Sequence, residues 1–292
     1  MPFKIIVTVK QVPDTQQITG EAMKPDGTVN RAALPAIVNP EDLNALEEAI
    51  KIKIKYGGHI TVISMGPQKA TEALKECYYR GADDVILISD SAFAGADTLA
   101  TSFTLKCAID KIGEYDLILC GRQAIDGDTA QVGPQLAEKL KINQLTFISQ
   151  IIDITEGPEN RMIVKRSTEN GYEILKSALP VLLTITNNAN KPRSSSVKRL
   201  LSFKNMVFRK ENTPFEETGL DPKYLSASEH FKVWDIESLG VDKSLCGLQG
   251  SPTRVKKIKD VVLTAAGTKQ ISGSEEDISN LIRELREEHI IG

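Results

Sequence analysis

Lys4-Ile5-Ile6-Val7-Thr8-Val9 lies near the start of a 292-residue sequence and is a short β-branched run with little polar interruption. Such a run reads as a strand buried on both faces, which belongs inside a parallel sheet. Segments 60–64, 85–88 and 117–120 repeat the pattern, and helical patterns separate them. Asn39 stands where it caps a helix, with Pro40 at the first helical position and Glu41 and Asp42 in the first turn. Each suits the unpaired amides and positive end of a helix start. Leu43, Leu46, Ile50 and Ile54 then share one face, and Gly57-Gly58 ends the helix. Residues 69–80 close at Gly81, and 99–112 at Gly113. This β-α-β-α-β order predicts a parallel sheet with right-handed crossovers.

Two departures interrupt the alternation. Lys24-Pro25-Asp26-Gly27-Thr28 is a turn signal and predicts a hairpin over 20–29. Segments 147–154, 162–166, 171–176 and 181–186 resemble antiparallel strands that extend the parallel core into a mixed sheet. After about Asn187 the character changes: polar and basic residues dominate to Lys210, and 211–228 holds Pro214 and Pro222 with little periodicity. A closing helix over 275–288 places Ile278, Leu281, Ile282 and Leu285 on one face. A tail with so few core positions is expected to lie along a partner.

Composition excludes several classes. With 41% hydrophobic and 26% charged residues the chain is ordinary for a globular protein. A net charge of −3 supplies no basic field for nucleic acid or anionic membrane. Met1-Pro2-Phe3-Lys4 runs straight into the first strand, too short and too β-branched a segment for a signal peptide or spanning helix, so a soluble cytoplasmic chain is expected. Cys77, Cys107, Cys120 and Cys246 form no C-x-x-C pair, and His59, His230 and His289 are equally scattered, so neither a metal nor a disulfide framework is expected. No nucleophile-elbow serine, G-x-G-x-x-G or phosphate-loop motif occurs. Any chemistry is expected to reside in a bound cofactor.

Ligands of open parallel sheets bind outside the carboxyl ends of the strands. Those ends are 8–14, Ser64-Met65-Gly66-Pro67, 90–101 and 121–134, all rich in small, polar or kinked residues. The last reads Gly121-Arg122-Gln123-Ala124-Ile125-Asp126-Gly127-Asp128-Thr129-Ala130-Gln131-Val132-Gly133-Pro134 and leads into a helix expected from about Thr129. Free amides there, the Thr129 hydroxyl and the Arg122 cation suit a pyrophosphate. Gly127 permits close backbone approach, and Gln123 and Gln131 offer amides to a purine or flavin edge. The bland alternative is a loop whose Asp128 merely caps its helix. In 90–101, Asp97 or Thr98 caps a helix that presents Thr101, and four small residues around Phe93 admit a flat ring. An Ala/Gly-rich turn before an ordinary helix is the plain alternative, and Asn39-Pro40-Glu41-Asp42 likewise reads as a capped helix alone.

Together these segments resemble the beta subunits of electron-transfer flavoproteins. The similar elements are Val9-Lys10-Gln11-Val12-Pro13-Asp14, Asn39-Pro40-Glu41-Asp42, Ser64-Met65-Gly66-Pro67 and the loop 121–134, in that order across residues 3–201. The resemblance implies a three-layer, Rossmann-like α/β fold of the adenine-nucleotide-binding type over 1–205. An extended arm over 206–292 would pack on an alpha subunit. It also implies a nucleotide held by Thr8, Lys10, Asn39, Asp42, Met65, Gly66 and the run Arg122, Gln123, Ala124, Asp126, Gly127, Asp128, Thr129, Ala130, Gln131, Val132 and Gly133. Family members of the simple carrier type hold AMP there, with a bulkier loop after Asp126. The run Gly127-Asp128-Thr129-Ala130, the stretch from Phe93 to Thr101 and Leu245-Cys246-Gly247-Leu248-Gln249-Gly250-Ser251-Pro252-Thr253 are instead similar to the electron-bifurcating group.

Membership of that group implies an FAD in the beta site that takes hydride from NADH. One electron goes to a low-potential ferredoxin or flavodoxin. The other goes to an FAD on the alpha subunit and thence to a dehydrogenase of the acyl-CoA type. No side-chain acid or base is then needed. Arg122 would balance phosphate or reduced-flavin charge, and Asp97, Thr98 and Thr101 would hydrogen-bond the cofactor. Residues 190–201 resemble the family's recognition loop, with Val197 as apolar anchor, Leu200 as competitor, and Lys198 and Arg199 as flanking cations. Two rivals stand beside this reading: a carrier that binds AMP only, and an adenine-nucleotide-binding regulatory module of the stress-protein type.

Overall fold

A computed structural model of the chain describes residues 2–14, 34–155, 160–210, 213–219, 221–253 and 270–287. The run that opens the sequence forms β1 (Phe3–Thr8). A short antiparallel pair, β2 (Gln11–Pro13) and β3 (Ala36–Val38), precedes α1 (Pro40–Tyr56). Then come β4 (Gly58–Met65), α2 (Thr71–Arg80), β5 (Asp84–Ile88), α3 (Thr98–Ile112), β6 (Leu117–Gly121) and α4 (Val132–Leu140). The remainder comprises β7 (Asn143–Thr155), β8 (Arg161–Thr168), β9 (Gly171–Ala178), β10 (Val181–Ile185), α5 (Val197–Phe203), β11 (Arg209–Lys210), α6 (Leu225–Ser228), β12 (Phe231–Trp234), α7 (Ile236–Leu239) and α8 (Glu275–Glu287). The hairpin expected over 20–29 lies outside the described residues.

Ten strands pair into one sheet in the order β11-β12-β5-β4-β1-β6-β10-β7-β8-β9. From β11 to β7 every neighbouring pair is parallel; the β7–β8 and β8–β9 pairs are antiparallel, so β8 alone runs against the rest of the sheet. The parallel core and mixed sheet thus follow the sequence reading, with one correction. Val181–Ile185, expected antiparallel, is inserted between β6 and β7 and runs parallel to both. All five of its residues are buried, the mark of a strand covered on both faces rather than a hairpin arm. β7 therefore serves two partners, and Phe147 adopts φ 57 where the pairing to β10 slips. Its N–H is satisfied by the Thr184 hydroxyl at 3.0 Å.

Side chains alternate across the sheet. Ile5 and Val7 of β1 join Leu46 of α1 and Leu74 of α2 in one core. Ile6 points the other way, to a second core with Leu105 of α3 and Leu136 of α4. These are the two helical layers flanking the sheet, and each fully buried Leu or Ile contributes about 1.5–3 kcal/mol.

Residues 207–253 depart from the expected arm. β11 and β12 extend the sheet beside β5, and the compact unit that holds the sheet runs to Lys257. Phe231 is fully buried, with ring centroids 4.5 Å from Tyr78 and 5.3 Å from Phe208. A four-residue strand carries too short a period to be read among prolines. The second unit comprises Ile18–Ala33 and Ile258–Gly292, and its described part contains α8 with Ile278 and Ile282 exposed.

Candidate functional site

The chain steps from β1 to β4 to β5 on one side, then returns to lay β6 on the other side of β1. Strand order reverses there, so the turns after β1 and β6 diverge and leave a crevice at their carboxyl ends. A cavity of about 1020 Å³ fills it and reaches across the turns after β4 and β5. That is the upper end of the range for small-molecule sites, about 300–1,000 Å³. Thr8, Lys10, Asp42, Met65, Gly66, Asp97, Thr98, Thr101, Arg122, Gln123, Ala124 and the run Gly127 to Gly133 all line it. Asn39 and Asp126 do not.

Asn39 sits behind the wall. It occupies the cap position of α1 but makes no side-chain cap bond. Fully buried, it instead donates its Nδ2–H to the Gln123 carbonyl at 2.9 Å and accepts the Ile125 N–H at 3.1 Å. The next acidic residues do similar work. Glu41 accepts the Gln123 N–H at 3.0 Å. Asp42 accepts the Lys10 N–H at 2.8 Å and the Gly121 N–H at 3.0 Å, joining the turns after β1 and β6. The contact leaves no space at Gly121, where a Cβ would fall 2.8 Å from the Asp42 nitrogen. Burial pushes the Asp42 carboxyl up to about 7, against the Lys10 amide, the Asn39 side chain and the Gly121 amide, which favour its charged form.

Past Gly121 the loop follows an unusual path. Asp128 and Ala130 take φ 50 and 52, and α4 begins at Val132, three residues later than expected. Asp128 does not cap that helix; its carboxylate accepts the Gln123 Nε2–H at 2.8 Å. Gln131, at the cap position, makes no side-chain cap bond, so the first amides of α4 face the cavity without a protein acceptor from the cap. Gly133 fits only as glycine, since a Cβ would stand 2.8 Å from Cys120 Sγ and 2.9 Å from Thr184 Cγ2. An uncapped, glycine-floored helix start has the dipole and free amides that favour an anion.

Both cations on the wall are paired with carboxylates. Arg122 Nη2 lies 3.1 Å from Glu41, and Lys10 Nζ lies 2.7 Å from Asp126. Asp126 thus bears on the site through Lys10. On the adjoining wall Asp97 caps α3, accepting the Leu99 and Ala100 amides at 3.0 Å each. The Thr98 hydroxyl reaches Gln131 Oε1 at 3.0 Å, connecting the starts of α3 and α4 across the cavity. Met65, Phe93 and Leu105 give that wall an apolar lining. Polar amides on one wall and apolar side chains on another suit a phosphate-bearing ligand with a flat ring, and the residues present fit the chemistry of a flavin or adenine nucleotide.

Several contributors escaped sequence reading. Glu41 looks like a helix-dipole residue, yet its role is to hold Arg122 and Gln123. The stretch from Leu245 to Thr253 stands out in sequence by resemblance alone, which assigns it no contact; in the structure Thr253 reaches the cavity wall. Among the described residues no cluster of His, Cys, Asp and Glu is arranged to hold a metal. Burial pushes the Cys77 and Cys120 thiols up, far from thiolate reactivity.

On a separate surface, the segment 197–203 is the helix α5 rather than a loop. Val197 is 70% exposed, Leu201 61% and Leu200 39%, so Leu201 joins the two apolar candidates. Lys198 is exposed as well. Arg199 is not presented outward as a free cation. Its guanidinium stacks 4.6 Å from the Tyr78 ring centroid and donates to the Ala82 carbonyl at 2.7 Å, fastening α5 to the end of α2.

Comparison with known proteins gives a consistent result. The family model described as electron transfer flavoprotein domain matches residues 26–206. The electron transfer flavoprotein subunit beta of Clostridium acetobutylicum is 41% identical over 297 residues, covering 99% of this chain and all of that protein. The caffeyl-CoA reductase-Etf complex subunit CarD of Acetobacterium woodii is 38% identical, covering 99% of this chain and all of that protein. Protein FixA of Azotobacter vinelandii is 42% identical over 257 residues, covering 87% of this chain and 82% of its own length.

Proposed function

The chain belongs to the electron transfer flavoprotein beta-subunit family, and from that premise we propose that its cavity holds a whole FAD serving NADH-driven electron bifurcation. The observation that carries the reading is the continuity of the cavity. One volume of about 1020 Å³ is lined both by the loop 121–133 with the start of α4 and by Phe93, Thr98 and Thr101 around the start of α3. A mononucleotide needs only part of such a volume; a dinucleotide with an isoalloxazine ring needs the whole.

The chain's own residues bind and orient. The start of α4 and Arg122 hold the phosphates, Gln123 and Gln131 meet polar ring edges, and the small residues from Ala92 to Ala96 let the flat ring approach the backbone. Phe93 and Leu105 keep water from that wall. A bound flavin would supply the redox chemistry, two-electron exchange with NADH and one-electron transfer toward ferredoxin or flavodoxin and the alpha-subunit FAD.

The rest of the assembly is part of the same proposal. An alpha subunit receives the C-terminal arm, and a dehydrogenase of the acyl-CoA type docks at Val197, Lys198 and Leu200. The similarity to a subunit of a caffeyl-CoA reductase-Etf complex supports such an assembly. No described helix is long and apolar enough to cross a membrane, which suits the cytoplasmic location we propose. The test is reconstitution: the alpha-beta complex, NADH, ferredoxin and the cognate dehydrogenase with its enoyl thioester. Ferredoxin reduction that requires both NADH and the thioester supports the proposal. Transfer to the dehydrogenase with no ferredoxin reduction overturns it.

A further inference from the structure

Residues 245–253 are folded tightly against the turn after β5. The Leu248 N–H donates to the Ala94 carbonyl at 3.0 Å. Gly247, at φ 53, sits so close that a Cβ would collide with the Ala92 carbonyl and stand 2.9 Å from that of Ala94. Ser251 is 7% exposed; its hydroxyl accepts the Asp97 N–H at 2.8 Å and donates to the Gly247 carbonyl at 2.7 Å.

The segment ends on the carboxylate that starts α3. One oxygen of Asp97 caps the helix through Leu99 and Ala100. The other accepts the Thr253 N–H at 3.1 Å and its hydroxyl at 2.7 Å. Asp97 and Thr253 both line the cavity, at the end where the ring would lie. A single charge is therefore shared between a helix start and the 245–253 segment, and the Thr253 hydroxyl draws part of that charge away from the cavity.

We propose that Ser251 and Thr253 are positioning residues for the cofactor. Acting through Asp97, they fix the first turn of α3 and set the negative charge that the ring end of the cavity presents. The inference rests on the reading of this cavity as an FAD site. With the Thr253 hydroxyl removed, Asp97 keeps more of its charge facing the ring, which disfavours the electron-rich reduced cofactor.

Thr253→Val, nearly isosteric, is measured in the intact alpha-beta complex beside Ser251→Ala and Thr253→Ser. The readouts are FAD and AMP per heterodimer, melting temperature, FAD dissociation constant and the midpoint potential of the beta-site flavin. Thr253→Val is expected to stay folded with a melting temperature lowered by about 2–4 °C, to bind FAD about tenfold more weakly because the loosened first turn of α3 is reordered on binding, and to shift the potential to more negative values. Thr253→Ser restores both, and Ser251→Ala weakens binding in the same direction. Two FAD in the wild type with Thr253→Val unchanged in affinity and potential overturns the inference alone. One FAD and one AMP in the wild type overturns the reading of the site and the inference with it.

Discussion

Replacing Asn39 by alanine should loosen the phosphate-side loop without touching the ligand directly. The wild-type side chain is fully buried and makes two bonds to that loop, at 2.9 Å to the Gln123 carbonyl and 3.1 Å from the Ile125 N–H. Truncation leaves both backbone groups unpaired, and each such group costs about 1–3 kcal/mol if it stays buried. Gln123 and Ile125 are only half-buried, so water recovers part of the loss. A penalty of about 2–3 kcal/mol is the reasonable expectation, toward the lower end of that sum. If the loop must regain its shape to accept phosphate, the penalty falls on binding and weakens FAD by about 30- to 150-fold. Flavin-fluorescence titration of the apo heterodimer reads this, with circular dichroism as the check on folding. A dissociation constant within about threefold of the wild type, in a normally folded variant, would refute the positioning role assigned to Asn39.

Arg122→Ala leaves Glu41, with 7% of its side chain exposed, without its cationic partner and removes one of the two cations that line the cavity. FAD content of the purified complex should fall and NADH oxidation with it; an unchanged flavin spectrum and rate contradict the assignment. Val197→Asp places a charge on a 70% exposed apolar position of α5, so transfer to the dehydrogenase should drop while NADH oxidation stays constant. Equal loss of both argues against docking there. Asp42 predicts a pH signature: with its folded pKa raised to about 7, the native chain keeps a proton that the unfolded chain has already released. That contribution to stability is present in full below about pH 4, declines as pH rises to about 7 and is flat above, a slope on the order of a few kcal/mol in all. Urea midpoints of wild type and Asp42→Asn between pH 5 and 8 should converge or cross accordingly; a pH-independent difference excludes it.

The doubly covered strands were legible because Ile5, Ile6 and Val7 leave no polar face, and the ends of α1 and α3 because their terminal residues are chemically distinctive. The cavity could be located for the same reason: parallel strands determine which turns converge. What escaped was pairing between distant segments. β10 carries the same apolar run whether it lies parallel or antiparallel, and nothing local states that it is inserted between β6 and β7. α4 was placed too early because Asp128-Thr129 has the chemistry of a cap, while the left-handed turns at Asp128 and Ala130 delay the helix. The pairing of Arg122 with Glu41 and the tie from Thr253 to Asp97 join residues 81 and 156 positions apart. Such contacts are products of the fold and leave no mark in sequence.

What the beta subunit carries separates a bifurcating subunit from a simple carrier. Heat-denaturing the purified alpha-beta heterodimer and quantifying the released nucleotides by chromatography decides it. Two FAD per heterodimer and no AMP is the predicted result. One FAD accompanied by one AMP would make the chain a carrier subunit with a mononucleotide site, and would contradict the claim that its cavity holds a flavin.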